Sequence, residues 1–115
     1  MASLSDRDCV PCRGGVPPLT PGEIAPLLAQ LHGWQVVDGH HLEKRYTLKN
    51  FADALELVNR IGAIAEQQNH HPDIALSWGL VVVTIWTHKI NGLSESDFVL
   101  AAKCDDAAAA GARQA

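Results

Sequence analysis

EQQNHHPDIALSWGLVVVTIWTHKINGLSESD, running from Glu66 to Asp97, contains the change of pattern that organises the chain. Upstream of it, Asn50 can cap a long helix, and Phe51, Ala54, Leu55, Val58, Ile61 and Ala65 supply an apolar stripe at helical spacing. Pro72 forces that helix to end, because the residue before a proline is pushed out of the helical region; His71 is therefore expected to be extended. Ile74–Trp78 and Leu80–Thr87 then surround Gly79 and read as a hairpin. Val81, Val82 and Val83 are β-branched and apolar towards both faces, the composition of an interior strand. Asn91-Gly92 turns the chain. Ser94-Glu95-Ser96-Asp97 caps a last helix with Phe98, Leu100, Ala101 and Ala102 facing inward and the alanine run 107–110 near its end.

Towards the N-terminus, Trp34–Val37 and His41–Tyr46 flank Asp38-Gly39-His40, a DG turn signal, so a first hairpin is expected there. Before it, Thr20-Pro21-Gly22-Glu23 has a Thr cap, a proline at the first helical position and a glutamate three residues after the cap. Ile24, Leu27, Leu28 and Leu31 continue the helical period, and Gly33 stops it. Pro26 conflicts with that start, since it removes a backbone bond from the second turn, so a start near Ala25/Pro26 is the alternative. Residues 1–19 are rich in Gly, Pro and small polar residues and are expected to be a loosely ordered leader. A single domain is expected over 20–110, with a short tail at 111–115. The order α-β-β-α-β-β-α, with strands paired through tight turns, predicts an α+β two-layer domain. Its four-stranded antiparallel sheet should carry three helices on one face.

Composition narrows the functional classes. The chain of 115 residues carries a net charge of −4 with scattered basic residues, so no basic tract points to nucleic acid or acidic lipid. The longest strongly apolar run, Leu80–Trp86, is too short to span a membrane. MASLSDRDCV has neither a basic n-region nor an apolar core, so a cytoplasmic protein is expected. Cys9, Cys12 and Cys104 are odd in number and do not form a disulfide framework. Cys9-Val-Pro-Cys12 is a CxxC pair, but no second pair completes a structural zinc set and no βαβ setting suggests a redox motif.

The chemistry is concentrated in histidines. Glu66 and His70 stand four apart, on one face of the expected helix. In its last turn His70 would sit where the helix dipole favours positive charge. His71 leaves the helix, and His88 follows the apolar strand. Three imidazoles and a carboxylate gathered at one corner would suit acid/base work near neutral pH. On spacing alone other readings stay open: a histidine that merely ends a helix, an HHP helix stop, or a zinc site. Adjacent side chains diverge by roughly 100° around a helix, which disfavours joint ligation of one ion.

The series Glu66, three residues, His70-His71-Pro72, five residues, Trp78, nine residues, His88, eight residues, Asp97 resembles the signature of the pterin-4a-carbinolamine dehydratase family. The resemblance extends to Leu31-His32-Gly33-Trp34, to Phe51 and Ala65, and to Gly92-Leu93-Ser94, covering about residues 20–106. Asn91-Gly92-Leu93-Ser94 stands where the family more often has Gly-Gly-Leu-Thr.

This resemblance implies a dehydratase that removes water from 4a-hydroxytetrahydropterin, giving quinonoid dihydropterin in tetrahydrobiopterin recycling, with no cofactor and no metal required. It implies His70 and His88 as the acid/base pair and His71 as a residue that chiefly binds and orients the pterin. Asp97 would orient His88. Glu66 would bond the pterin's amino-pyrimidine edge or His70; Trp78 would wall the pocket, with Trp34 weighted towards the core, and Pro72 counts among the substrate-binding or orienting residues. A homodimer or homotetramer is implied, with the long helix and an open sheet edge as natural contacts. The alternative is a non-catalytic dimerisation or assembly partner, a role taken by some relatives of this fold.

Overall fold

The computed structural model describes residues 3–10 and 14–114, with backbone only for 111–114. Its helices are α1 (Pro21–Leu28), α2 (Phe51–Gln68) and α3 (Glu95–Gln114), and its strands are β1 (Gln35–Val37), β2 (His41–Thr47), β3 (Asp73–Ser77) and β4 (Leu80–Ile85). Short 3₁₀ turns occupy Leu4–Asp6 and His88–Ile90. The strands form one antiparallel sheet in the order β1-β2-β4-β3, and the whole is the expected α+β arrangement.

Local chemistry explains most boundaries. At the first hairpin Asp38 and Gly39 both take positive φ (54° and 65°), and His40 N–H bonds Val37 O at 2.9 Å. Two left-handed residues in succession match the strand twist. Asn50 caps α2, its side-chain oxygen accepting from Asp53 N–H at 2.8 Å. Thr20 caps α1 with Glu23 reaching back to Thr20 N–H at 2.9 Å, so the start does not slip to Pro26. Pro26 sits inside α1, which stays short at eight residues and ends at Leu28, ahead of Gly33. At the other end of the chain α3 runs on through Gln114, past the alanines.

Period two in the sheet and period three to four in the helices meet in one core. Val81, Val83 and Ile85 of β4 are fully buried, and their register partners Tyr46, Lys44 and Leu42 on β2 share that face. Ile74 and Leu76 of β3 pair with Val83 and Val81 on the same side. Ala54, Leu57, Ile61 and Ala65 of α2 close the core from above; Phe51 and Leu55, expected in the stripe, remain exposed. Trp34 is buried, as weighted, and its indole N–H donates to Asp105, which also accepts from Lys44 and Tyr46.

Described residues of the leader contact the domain. Leu4 is buried and belongs to the core, and Lys103 Nζ donates to Ser5 O at 2.8 Å. The Leu4–Asp6 turn packs on α3, so more than the sheet-facing side of that helix is covered, and Phe98, Val99, Leu100 and Ala101 are all buried. Cys12 lies outside the described residues.

Candidate active site

The His70 corner forms where α2 ends. Asn69 takes the left-handed conformation (φ 52°, ψ 41°) and its N–H bonds back to the last turn, so α2 closes at Gln68. His70 is thus outside the helix, which ends two residues earlier than expected because asparagine tolerates the left-handed cap. That single turn rotates His70 away from Glu66. Glu66 bonds His71 Nε2 instead, and both partners of that pair are largely exposed.

His70 meets Asp97. Its Nε2 lies 2.6 Å from Asp97 Oδ1, and Asp97 is completely buried. Oδ2 of the same carboxylate accepts from Ser94 N–H at 2.8 Å and from Thr87 Oγ1–H at 2.8 Å. Asp97 is the third residue of α3 and Ser94 its cap, so this carboxylate closes half a capping box while holding a histidine. Two donors besides the histidine thus point at this carboxylate, which accepts from both. An ionised Asp97 can only accept, so His70 Nε2 carries a proton and Nδ1 is the nitrogen left for other work. The expectation that Asp97 orients His88 is therefore corrected. The chain continues past His88 through a 3₁₀ turn and the Thr87–Gly92 bridge, which directs Asp97 back towards the end of α2.

His88 is exposed and held differently. Its ring stacks on Trp86 with centroids 3.9 Å apart and planes 19° from parallel. His40 lies against the same indole at 4.4 Å and bonds Asn91 Oδ1 through Nε2 at 2.9 Å. Asn91 itself has φ 50°, a left-handed conformation that asparagine tolerates. Gly92 is required by close packing: a Cβ there would stand 2.6 Å from Pro18 Cβ.

His70, His71 and His88 line one cavity of about 370 Å³ together with Cys9, Val10, Gln68, Asn69, Trp86, Thr87 and Lys89. This is the lower part of the range for small-molecule sites, roughly 300–1,000 Å³. Glu66 and Asp97 stand behind the histidines. Pro72 is half-buried and acts through the backbone, by ending the helix. Trp78 is not brought to this cavity. It is 69% exposed at the β3–β4 turn, at the opposite end of β3 from the histidines and about 15 Å away along the strand at 3.4 Å per residue. Trp86, Thr87, Ser94, Cys9 and Val10 were missed by sequence reasoning. Trp86 had a signal, since it is two residues before His88 and period two places such residues on one face. Among the described residues no three His, Cys, Asp or Glu side chains are gathered as a metal-ligand group. The Cys9 thiol is pushed up to about 11, chiefly by burial, so it presents a neutral surface to the cavity.

Fold and site together define a class: a two-layer α+β protein with a histidine-lined pocket where helix and sheet ends meet. The sequence profile of the pterin 4 alpha carbinolamine dehydratase family matches residues 17–107, and the chain belongs to that family. A protein of Rubrobacter xylanophilus provisionally named pterin-4-alpha-carbinolamine dehydratase is 56% identical over 105 residues, covering 91% of this chain and 98% of the relative. One of Rickettsia canadensis with the same provisional name is 56% identical over 91% of this chain and 97% of its own. The crystal structure of a transcriptional coactivator/pterin dehydratase from Brucella melitensis superposes with a TM-score of 0.75 at 34% identity, covering 79% of this chain and 98% of that one. A pterin dehydratase-like RuBisCO assembly factor of the α-carboxysome shares the fold, with a TM-score of 0.59 at 23% identity over 67% of this chain and 90% of that one.

Proposed function

We propose that the protein dehydrates 4a-hydroxytetrahydropterin to quinonoid dihydropterin, in recycling of a tetrahydropterin. The carrying observation is the His70–Asp97 pair, in which a buried carboxylate holds Nε2–H and leaves Nδ1 as an acceptor. In this reading His70 Nδ1 takes the proton from N5 of the substrate. The electron pair of that N–H bond forms the C4a=N5 double bond, the C4a–O bond breaks, and protonated His88 supplies the proton with which hydroxide leaves as water. The indole face of Trp86 is a suitable partner for an imidazolium at His88. His71, paired with Glu66, binds and orients the pterin at the rim. No electrons leave the substrate, so the step balances without an oxidant.

The test follows the ultraviolet absorbance of chemically generated 4a-hydroxytetrahydropterin with wild type, His70→Ala and no protein. Acceleration by wild type that falls at least about a hundredfold in the variant, the lower range for one acid/base group, supports the reading. Decay equal to the no-protein control, from folded protein, refutes it.

A surface reading has its own observation. Phe51 and Leu55 on α2 and Trp78 on the hairpin are large, apolar and exposed, and Leu48 N–H bonds Gly79 O at 2.8 Å, bringing the hairpin tip beside the start of α2. Exposed apolar clusters mark partner contacts. This face is the proposed contact for a second copy of the chain, in a homodimer or homotetramer.

A further inference from the structure

The leader segment Asp8–Val10 has a place in the pocket that neither the histidine signature nor the family match, which begins at residue 17, accounts for. Cys9 N–H donates to Gln68 Oε1 at 2.7 Å, and Gln68 Nε2 returns a bond to Asp8 Oδ1 at 3.3 Å. Val10 N–H donates to Ser96 Oγ at 2.8 Å, and Ser96 Oγ–H donates to Val10 O at 3.1 Å. The two anchors are not arbitrary. Gln68 is the last residue of α2, two before His70, and the buried Ser96 immediately precedes Asp97. The leader therefore joins the same two helix ends as the His70–Asp97 bond.

Seated this way, Cys9 and Val10 line the histidine cavity. Most of the other lining residues are polar: Gln68, Asn69, His70, His71, Thr87, His88 and Lys89. Val10 is the aliphatic side chain among the described lining residues and is 70% exposed, so most of its apolar surface is open. A pterin has a polar pyrimidine edge that suits the histidine and amide side, and its C6 substituent projects from the opposite edge of the bicycle, where a larger substituent makes more contact with the remaining wall. We propose that Cys9–Val10, pinned by Gln68 and Ser96, forms the wall that contacts the C6 substituent of the bound pterin and sets which substituents are accepted. This rests on the cavity being the pterin site. The selectivity of the pocket then comes from the N-terminal segment, while the proton chemistry comes from the matched domain.

The experiment uses full-length Val10→Gly and Ser96→Ala. Removing the leader outright would expose the core around buried Leu4, whereas an exposed valine can be trimmed without harming the fold. Steady-state dehydration is measured with two 4a-hydroxytetrahydropterins, one bearing a 6-dihydroxypropyl group and one a 6-methyl group. Binding of 7,8-dihydrobiopterin is measured separately by tryptophan quenching. The expected result is a rise in KM of roughly tenfold for the dihydroxypropyl substrate, the lower end of what an apolar pocket contact discriminates, with a smaller change for the methyl substrate and the loss falling on KM more than on kcat. Dihydrobiopterin should weaken in parallel. Unchanged KM, preference and binding in variants with wild-type circular dichroism would overturn the proposal. If wild type binds dihydrobiopterin but dehydrates nothing, the dehydratase reading fails while weakened binding in the variants still upholds the wall. Wild type that binds no pterin overturns both.

Discussion

Replacing Asp97 with asparagine separates what the carboxylate does for the fold from what it does for His70. Ser94 N–H can only donate, so the amide oxygen of the new side chain must stay where Oδ2 now accepts from it. The amide NH₂ then faces His70 Nε2, which must become the acceptor. His70 switches to the Nδ1–H tautomer, and the nitrogen proposed as base carries a proton in place of its lone pair. A general base contributes about 10²–10⁴ in rate, so kcat is expected to fall about 10²–10³-fold with little change in KM. Thr87, Ser94 and His70 each exchange a charged partner for a neutral one, at about 1 kcal/mol apiece, giving a destabilisation of about 2–3 kcal/mol. For a chain of this size that lowers Tm by about 10 °C, leaving the protein folded at 25 °C. The assay pairs dehydration kinetics with ¹⁵N NMR of the imidazoles, which reports the tautomer directly. A kcat within threefold of wild type, with His70 seen as the Nδ1–H tautomer, would refute the assignment of Nδ1 as the base.

Three further outcomes follow from the same geometry. Trp86→Ala removes the stacking surface of both His88 and His40 and is expected to lower kcat at least tenfold, with partial recovery in Trp86→Phe; a fully active alanine variant would show that the stack does not position His88. Above about pH 9 the fold is expected to lose stability, because burial pushes the thiol of Cys104 up to about 12 while the unfolded chain releases that proton near its ordinary value. The native state then binds more protons than the unfolded one, so stability falls as pH rises from about 9 to 12, by up to about 1.4 kcal/mol per pH unit. Buried Tyr46, also shifted upward by burial and by its bond to Asp105, adds to the alkaline loss. Thermal melts of wild type and Cys104→Ala from pH 7 to 11 check this, and an identical slope in the variant would count against it. For the proposed contact between copies, wild type is expected to scatter as a dimer or tetramer and Phe51→Asp with Leu55→Asp as a smaller species, with the melt of the chain barely changed since both side chains are exposed; equal masses for the two proteins would count against this face as a contact.

Much of the architecture could be read from local chemistry. Thr20, Asn50 and Ser94 announced the three helix starts, Asp38-Gly39 the first hairpin turn, and the β-branched run Val81–Val83 the interior strand. These signals act over a few residues through caps, turns and side-chain period, so the sequence carries them intact. The histidine spacing likewise identified the family without coordinates.

What the sequence could not assign was partnership. Asp97 is 27 residues from His70, and Gln68 and Ser96 are 59 and 86 residues from the leader atoms they hold. Such pairs depend on how β3, β4 and the Thr87–Gly92 bridge return the chain, and on one left-handed residue, Asn69, that swings His70 away from Glu66. Asp8–Val10 gave no apolar period in the sequence; their anchors are on two helix ends that only come together in the fold. The amino-acid sequence by itself determined the elements and their order, and it singled out the histidines proposed as the site. Only the tertiary structure decided which carboxylate holds which imidazole and what closes the pocket, because hydrogen bonds select partners by position in space rather than by distance along the chain.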